Sequence, residues 1–356
     1  MRAWLLRSAL VSPLVALAAG ATLWACSPNA VCKLGGPIND PSNRTLRRNI
    51  MSYGLSQFCQ QMTTHDAPLK LSPGAPVTGR FYPQHCAQKT LDNGDLWVQF
   101  DGMGYAFTPL SRKASFSAGA TIQYDDDFKC ASDASIYAYF ATRAVSPPSF
   151  QLLQIEAPMA NLVQGWVGPY ANNFGTQMVS AQLARGFTVI QGDDGSTDFD
   201  VGQLKLGQRP AHPFDVHGSD RVLVESERTQ VYPNERDFIG PIEVKDSGRA
   251  LYLTMQLDGA STAHLLLLPK PLGDAALQAY INSGPVGAIP GMPPWVDLLR
   301  YGVQYQRAVP VAAGMYYVVI DTTPSAGQVA PPAAFPLGGA EQAAVISYEI
   351  QIGDAP

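Results

Sequence analysis

The stretch Ala250–Gly259, ALYLTMQLDG, alternates between large apolar and other side chains with a period of two. This alternation predicts a strand with one buried face. The segment 344–352, AVISYEIQI, repeats the pattern. The near-continuous apolar runs HLLLLP (264–269) and MYYVVID (315–321) predict strands that are covered on both faces. Several such strands separated by turns, with little helix between them, predict a β-sandwich domain over residues 211–356.

The segment before residue 211 predicts a second unit with a different composition. Short β-type runs, each bounded by Gly, Pro, Asp or Asn, follow one another between Val77 and Val145. Apolar residues at helical spacing predict a short helix within 47–62 and an amphipathic helix around Phe174–Leu183. We therefore expect a stapled α+β or barrel-like domain over residues 51–210, in a chain that is mainly β with minor α. No known family is recognised in this domain.

The first 25 residues have the composition of a secretory signal peptide. Arg2 and Arg7 carry positive charge, and residues 8–25 carry none. The uncharged run is also long enough for a membrane-spanning anchor, which stays open as the alternative. Small residues at its end favour the signal peptide.

The sequence Leu23-Trp24-Ala25-Cys26 resembles the lipobox of bacterial lipoproteins, although Trp24 departs from the usual small residue. The resemblance implies cleavage before Cys26 and acylation of that cysteine, for example by palmitate, which would tie the protein to a membrane. Ser27 after the cysteine favours the cell outer membrane. Residues 26–50 lack an apolar period and predict a polar tether between the lipid and the first domain.

If Cys26 is acylated, an even number of cysteines remains in an oxidising compartment, which predicts two disulfide bonds. Four cysteines allow three pairings. Proximity in sequence favours Cys32–Cys59 with Cys86–Cys130. A metal site made of the four is the alternative, but they lack the close spacing of a zinc site.

Composition argues against two classes of partner. The chain carries a net charge of −5 at pH 7 and has no basic patch, which argues against nucleic-acid binding. The acidic balance also argues against electrostatic binding to anionic lipid. The acyl chains on Cys26 are therefore the expected route to the membrane.

The densest polar segment is 193–200, DDGSTDFD, and it offers candidate calcium ligands at Asp193, Asp194, Asp198 and Asp200. The alternative is a solvated hairpin, because Asp-Gly is a favoured two-residue turn. The run 125–127, DDD, predicts an exposed loop or strand edge. His212 and His217 flank Asp215, and we interpret this segment as a linker, with a metal site as the alternative.

At VPVAAGMYYVVID the C-terminal region resembles the pre-peptidase C-terminal type of β-sandwich module, which is appended to secreted bacterial enzymes. The match rests on Ala313–Val319. Those modules often carry an acidic residue before their central apolar strand. Here Ala263-His264-Leu265 stands in that place, so the resemblance gives no support for a calcium or ligand role.

The sequence contains no G-x-S-x-G, H-E-x-x-H or P-loop motif, and no other cofactor is predicted. We expect a lipid-anchored cell-envelope lipoprotein with a non-catalytic binding or scaffolding role. An envelope protein or a glycan would bind through aromatic loops that carry Trp295 and Tyr301. One alternative is a carrier of an apolar ligand that contacts Trp166 and Tyr170 in the first domain. A hydrolase with an unrecognised site is the other.

Overall fold

The computed structural model describes residues 29–33, 36–56, 58–70, 74–107, 113–155, 180, 183–214, 220–282, 288–289, 291–324 and 343–356. Strands dominate this part of the chain and helices are few, which confirms the prediction of a mainly β fold with minor α. The strands before residue 211 are β1 (Ala67–Lys70), β2 (Val77–Thr90), β3 (Leu96–Phe107), β4 (Lys113–Cys130), β5 (Ile136–Val145), β6 (Ser149–Ile155), β7 (Phe187–Gln191) and β8 (Thr197–Val201). Those after it are β9 (Arg221–Val231), β10 (Arg236–Val244), β11 (Arg249–Asp258), β12 (Thr262–Pro269), β13 (Trp295–Arg300), β14 (Tyr305–Val311), β15 (Gly314–Asp321) and β16 (Ala344–Asp354).

The described strands form two sheets. The larger has the order β14-β11-β16-β9-β2-β3-β4-β5-β7-β8, with β1 added beside β2 and β6 beside β4. The smaller has the order β10-β15-β12-β13. Nearly all pairings are antiparallel, which agrees with a chain that reverses at frequent Gly, Pro and Asn turns.

Three long strands organise the first half of the large sheet. The turn between β2 and β3 contains Gly94 at φ +81°, a conformation that glycine adopts without strain. The first part of strand β4, Lys113–Tyr124, pairs with the whole of β3. Its other edge is shared, with β6 beside Ala114–Gly119 and β5 beside Ile122–Cys130. One strand therefore holds most of the N-terminal sheet together.

The large sheet contains strands from both sides of the expected boundary at residue 211. The link is a parallel bridge between Val77 of β2 and Thr229 of β9. Strand β9 then pairs with β16 in the C-terminal half. The division into two domains stays a prediction, and the hydrogen-bonded sheet is continuous across it.

The C-terminal half is a sandwich. Alternate residues of β11 (Leu251, Leu253, Met255 and Leu257) are buried against residues of the smaller sheet, in one core cluster. Ile346, Tyr348 and Ile350 of β16 lie in the same cluster, as the period-two pattern predicts. The buried face of this sheet is thus set by the alternation in the sequence.

The two continuous apolar runs are covered on both faces, as predicted. In β12, Leu265 and Leu267 belong to the sandwich core, whereas Leu266 and Leu268 face a second core on the outside of the small sheet. A helix, α5 (Lys270–Asn282), covers that outer face with Ala276, Leu277, Tyr280 and Ile281. The second core also contains Tyr82 and Tyr105 of the N-terminal sheet, so α5 packs between the two halves.

The segment expected to be a polar tether is instead partly helical. It contains α1 (Asn29–Cys32), α2 (Gly36–Asn39), a 3₁₀ turn (Pro41–Asn43) and the start of α3 (Arg44–Leu55), which is followed by α4 (Phe58–Met62). Val31 and Ile38 are buried in the N-terminal core, together with Met51 of α3. These single apolar residues, which show no period, are sufficient to dock short helices. The predicted short helix within 47–62 is confirmed as α3 and α4.

Two disulfide bonds staple these helices to the sheet, as predicted, but the expected pairing was wrong. Cys32 of α1 bonds to Cys130 at the end of β4, and Cys59 of α4 bonds to Cys86 of β2. Proximity in sequence failed for Cys32, because the fold places α1 at the end of β4, and the two bonded cysteines are 98 residues apart.

None of the described helices has both the length and the apolar character needed to cross a membrane.

Candidate functional site

The most exposed apolar residues of the described chain concentrate around β13. The described residues include eight exposed large hydrophobic side chains, and four of the eight lie between residues 292 and 303. Met292 is 89% exposed, Val296 43%, Tyr301 63% and Val303 56%. Single exposed apolar residues are normal on protein surfaces, but a local concentration marks a candidate interaction site. We call this stretch the β13 edge, comprising residues 292–303.

The local sequence explains how the edge is built. Strand β13 pairs only with β12 among the described strands, so it is the last strand of the small sheet. Trp295 packs against the sandwich core and Leu299 is buried in it. Val296, Leu298 and Arg300 alternate with these residues and therefore face outward. Tyr301 follows the strand, and its backbone N–H donates a hydrogen bond to the carbonyl of Ser261.

Charges at the edge are arranged asymmetrically. Asp297 points toward β14, where its carboxylate accepts a hydrogen bond of 2.7 Å from the Tyr305 hydroxyl and lies 3.6 Å from the Arg307 guanidinium. Burial raises the pKa of Tyr305, and the hydrogen bond to Asp297 adds to this effect. Arg300 is exposed on the outer face. The β13 edge thus exposes the positive charge of Arg300 to solvent, whereas the Asp297 carboxylate is bound within the protein.

Of the two aromatic residues predicted to contact a partner in this region, only Tyr301 is exposed to solvent. Trp295 is half-buried and packs on the core, while Tyr301 is exposed at the turn before β14. The structure brings both residues to one edge of the sandwich. The sequence analysis did not single out Met292, Val296 and Val303. Apolar residues in a segment that also contains two prolines were a signal of an exposed apolar surface that could have been used.

The predicted calcium ligands occupy a hairpin. Strands β7 and β8 are antiparallel, and Gly195 adopts φ +85° in the turn between them, as the Asp-Gly alternative predicts. Asp194 accepts hydrogen bonds from Ser196. Asp198 and Asp200 lie on β8, apart from Asp193 and Asp194 in the turn. The described residues contain no group of three or more His, Cys, Asp or Glu side chains placed to hold one metal ion.

Asp198 has a different partner, His212. The Nε2 atom of His212 lies 2.9 Å from Oδ2 of Asp198, and both side chains are largely buried. The hydrogen bond to Asp198 raises the pKa of His212, although partial burial opposes the rise. The segment expected to be a linker is thus attached to β8 by an imidazole–carboxylate pair.

A half-buried carboxyl group, Glu225 of β9, lies near this pair. Burial, together with the nearby charges of Asp66, Glu227 and Asp198, raises the pKa of Glu225 to about 8. Lys70 forms an ion pair with Glu227, so the two glutamates of β9 differ in their surroundings. Glu225 is consequently protonated at neutral pH.

The junction of the two halves contains a buried polar network centred on Arg80 of β2. Its guanidinium donates two hydrogen bonds to Asp237, of 2.7 and 2.8 Å, and pairs with Asp66 as well. Tyr105 and Thr229 each donate a hydrogen bond of 2.8 Å to the Asp237 carboxylate. The carboxylate and the guanidinium satisfy each other, so this network is explained as the attachment of β10 to β2.

A second charged cluster joins α3 to the sheet, and it corrects the expectation for 125–127. These aspartates are neither in a loop nor exposed, because they lie within β4. Asp127 binds Arg47 through two hydrogen bonds of 2.8 and 2.9 Å, and Asp125 binds Arg48 at 2.7 Å. Asp126 is 2% exposed, and its Oδ1 has no hydrogen-bond partner within the described residues. Burial raises the pKa of Asp126 to about 6.

Several predicted residues lie outside the described residues, and their predictions stay untested. They are the lipobox with Cys26, the predicted ligand contacts Trp166 and Tyr170, and the pair Asp215 and His217. Most of the predicted amphipathic helix falls there as well, since only Ser180, Leu183 and Ala184 of its C-terminal part are described, as helical residues.

Comparison with known proteins adds no family to these observations. The chain matches no protein-family model, and no curated protein matches it significantly.

Proposed function

We propose that this protein is a lipid-anchored lipoprotein of the bacterial cell envelope with a non-catalytic binding role. Acyl chains on Cys26 hold it on the membrane, with the outer membrane favoured. The C-terminal sandwich presents the β13 edge to a protein or glycan partner. The observation that carries the binding role is the concentration of exposed apolar side chains in residues 292–303.

Cysteine pairing supports the lipid anchor. The two disulfides use Cys32, Cys59, Cys86 and Cys130, four of the five cysteines in the sequence, and Cys26 belongs to neither of them. A lone cysteine placed after a lipobox-like Leu-Trp-Ala is suited to acylation. Each buried methylene of an acyl chain contributes about 0.8 kcal/mol to membrane binding, so several chains hold a protein firmly.

Two large clusters of buried charged residues stabilise the fold. The Arg80 network and the arginine–aspartate cluster of α3 are internally hydrogen-bonded and join elements of the fold. Buried ion pairs of this kind are retained where both partners are satisfied. The β13 edge differs from them because its apolar side chains and Arg300 face solvent.

The anchor is tested by the intact mass of the mature protein from its native host, with Cys26→Ala beside it. We expect a chain that begins at Cys26 and carries added acyl glycerol, and we expect the mutant to lose both the added mass and membrane association. An unprocessed chain of unmodified mass would overturn the lipoprotein proposal.

The binding role is tested by photo-crosslinking in the native envelope. A photoreactive phenylalanine analogue replaces Tyr301 in one variant and Leu206 in the matched control, since Leu206 is also an exposed apolar residue but lies far along the chain from the edge. We expect a discrete crosslinked product from position 301 and none from position 206. Equal labelling at both sites, or none at either, would contradict the proposal.

A hydrolase is the second candidate, and Glu225 is the observation that favours it. Glu225 has a pKa raised to about 8, and the carboxyl group of Asp198 is close enough to contribute to that rise. Glycoside hydrolysis uses two carboxyl groups, one of which is a protonated acid. Hydrolysis of a chromogenic glycoside panel that is lost in both Glu225→Gln and Asp198→Asn would favour this function. Unchanged rates of hydrolysis in the two variants would rule out this role for Glu225 and Asp198.

The carrier of an apolar ligand stays a prediction, because Trp166 and Tyr170 lie outside the described residues.

A further inference from the structure

Among the described strands, β13 is an unpaired edge of the small sheet, and it carries few of the features that block strand addition. Edge strands expose backbone N–H and C=O groups, and proteins usually protect them with proline, lysine or inward-facing charge. The neighbouring edge strand β14 contains Pro310, and the far edge strand β8 carries Asp198 and Asp200. Strand β13, with the sequence WVDLLR, contains no proline or lysine.

The one acidic residue of β13 faces inward, and its charge is engaged by neighbours on β14. The Asp297 carboxylate is held by the Tyr305 hydroxyl and lies near Arg307, both of them on β14. This contact ties β13 to the other sheet of the sandwich. No described strand pairs with the outer side of β13.

The outward side chains of β13 define the chemistry that would fit beside them. Val296 is exposed, Leu298 is half-buried and Arg300 is exposed, in alternate positions along the strand. A strand added to β13 would place its own alternate side chains next to these three. Apolar residues would extend the contact with Val296 and Leu298, and a carboxylate would neutralise Arg300.

Charge complementarity favours an acidic occupant. Within residues 291–311 the charged residues are Asp297, Arg300 and Arg307, and the aspartate is already engaged. The segment is therefore locally cationic on a chain of net charge −5. A partner segment with a carboxylate at the Arg300 position would be attracted here.

We propose that the β13 edge binds an extended segment of a partner protein as an added antiparallel strand, with apolar residues beside Val296 and Leu298 and an acidic residue beside Arg300. This inference rests on the proposed binding role and names its partner class. Backbone hydrogen bonds supply affinity in strand addition, and the alternate side chains supply specificity.

The test uses the detergent-solubilised, full-length mature protein and a fluorescent heptapeptide, Thr-Glu-Thr-Val-Thr-Val-Thr, followed by anisotropy. In the antiparallel register its glutamate lies beside Arg300 and its valines beside Leu298 and Val296. We expect saturable binding that Arg300→Glu weakens on the order of tenfold. A peptide with lysine in place of glutamate should restore binding to that variant. Lys245→Glu, at an exposed position of the same sandwich, is the matched charge control and should leave binding unchanged.

Backbone pairing is tested separately with N-methylated peptides. Methyl groups on the alternate amides that face β13 should abolish binding, whereas methyl groups on the other set should not. The proposed strand addition would be overturned if the peptide does not bind. It would also be overturned if the affinity changes neither with the charge exchange at Arg300 nor with the methylation pattern. A dimer of the protein that Val296→Lys abolishes would assign the edge to a second copy and would also overturn it. The mass measurement on Cys26 is independent of all these results, so failure here leaves the anchor standing.

Discussion

Replacement of Asp126 by asparagine is expected to stabilise the folded protein at neutral and higher pH. The Asp126 side chain is buried in β4, and its Oδ1 has no hydrogen-bond partner within the described residues. Burial raises its pKa from 3.8 to about 6. The folded state thus binds this proton more tightly than the unfolded chain does. The ionised carboxylate opposes folding above the folded-state pKa, and the penalty disappears as the pH falls toward the unfolded value.

The magnitude follows from that difference in pKa. A shift of one unit corresponds to about 1.4 kcal/mol, so the full difference would be about 3 kcal/mol. Electrostatic screening in the folded protein reduces this figure, and we expect a gain of about 1–2 kcal/mol for Asp126→Asn at pH 8. The gain should shrink through pH 6 and vanish near the unfolded-state pKa.

The neighbouring residue supplies a control of opposite sign. Asp127 accepts two hydrogen bonds from Arg47, whose side chain is buried. Asp127→Asn removes the negative charge and leaves the guanidinium poorly compensated, which should cost about 2–4 kcal/mol. The assay is urea unfolding with intact disulfides, from pH 4 to pH 8. If Asp126→Asn destabilises the protein as Asp127→Asn does, or changes its stability equally at every pH, the reasoning about the buried carboxyl is refuted.

Three further predictions concern the disulfides, the junction and the imidazole pair. Non-reducing peptide mapping should find the two disulfide-linked pairs, and a Cys59–Cys130 or Cys32–Cys59 peptide would contradict the fold. Arg80→Met should lower the free energy of unfolding by about 3–5 kcal/mol, because it leaves buried carboxylates without their cation, and a loss below about 1 kcal/mol in chemical unfolding would refute that role. NMR titration should show that the pKa of His212 lies above its ordinary value and falls in Asp198→Asn. The pair stabilises the fold at acid pH, and this stabilisation is lost as the pH rises through the folded-state pKa of His212. An unchanged pKa of His212 in Asp198→Asn would contradict the role of the pair.

Local patterns were sufficient wherever burial follows the backbone period. Alternation in Ala250–Gly259 and the continuous apolar run of 264–269 predicted which strands are covered on one face and which on both. The Asp-Gly turn at residues 194–195 predicted the β7–β8 hairpin. These features depend on neighbours within a few residues, which the sequence displays directly.

Other features escaped prediction because they depend on which strands become neighbours. The aspartates of 125–127 were expected at the surface, and only the position of α3 against β4 supplies the arginines that bury them. Helix α5 was not expected, although Leu272, Ala276, Leu277 and Tyr280 recur at helical spacing in its sequence. The raised pKa of Glu225 depends first on its burial and then on the charge of Asp66, more than 150 residues earlier in the chain.

The sequence by itself determined the mainly β class, the burial pattern of the sandwich strands and the presence of two disulfides in the N-terminal part. Tertiary structure decided the pairing of Cys32 with Cys130 and the place of β13 at the end of its sheet. The physical reason is that alternation specifies the faces of a strand, whereas hydrogen-bonding partners along its edges are chosen by packing across the whole chain. The candidate binding edge belongs to the second kind, because a strand becomes an edge only when the fold leaves one side of it unpaired.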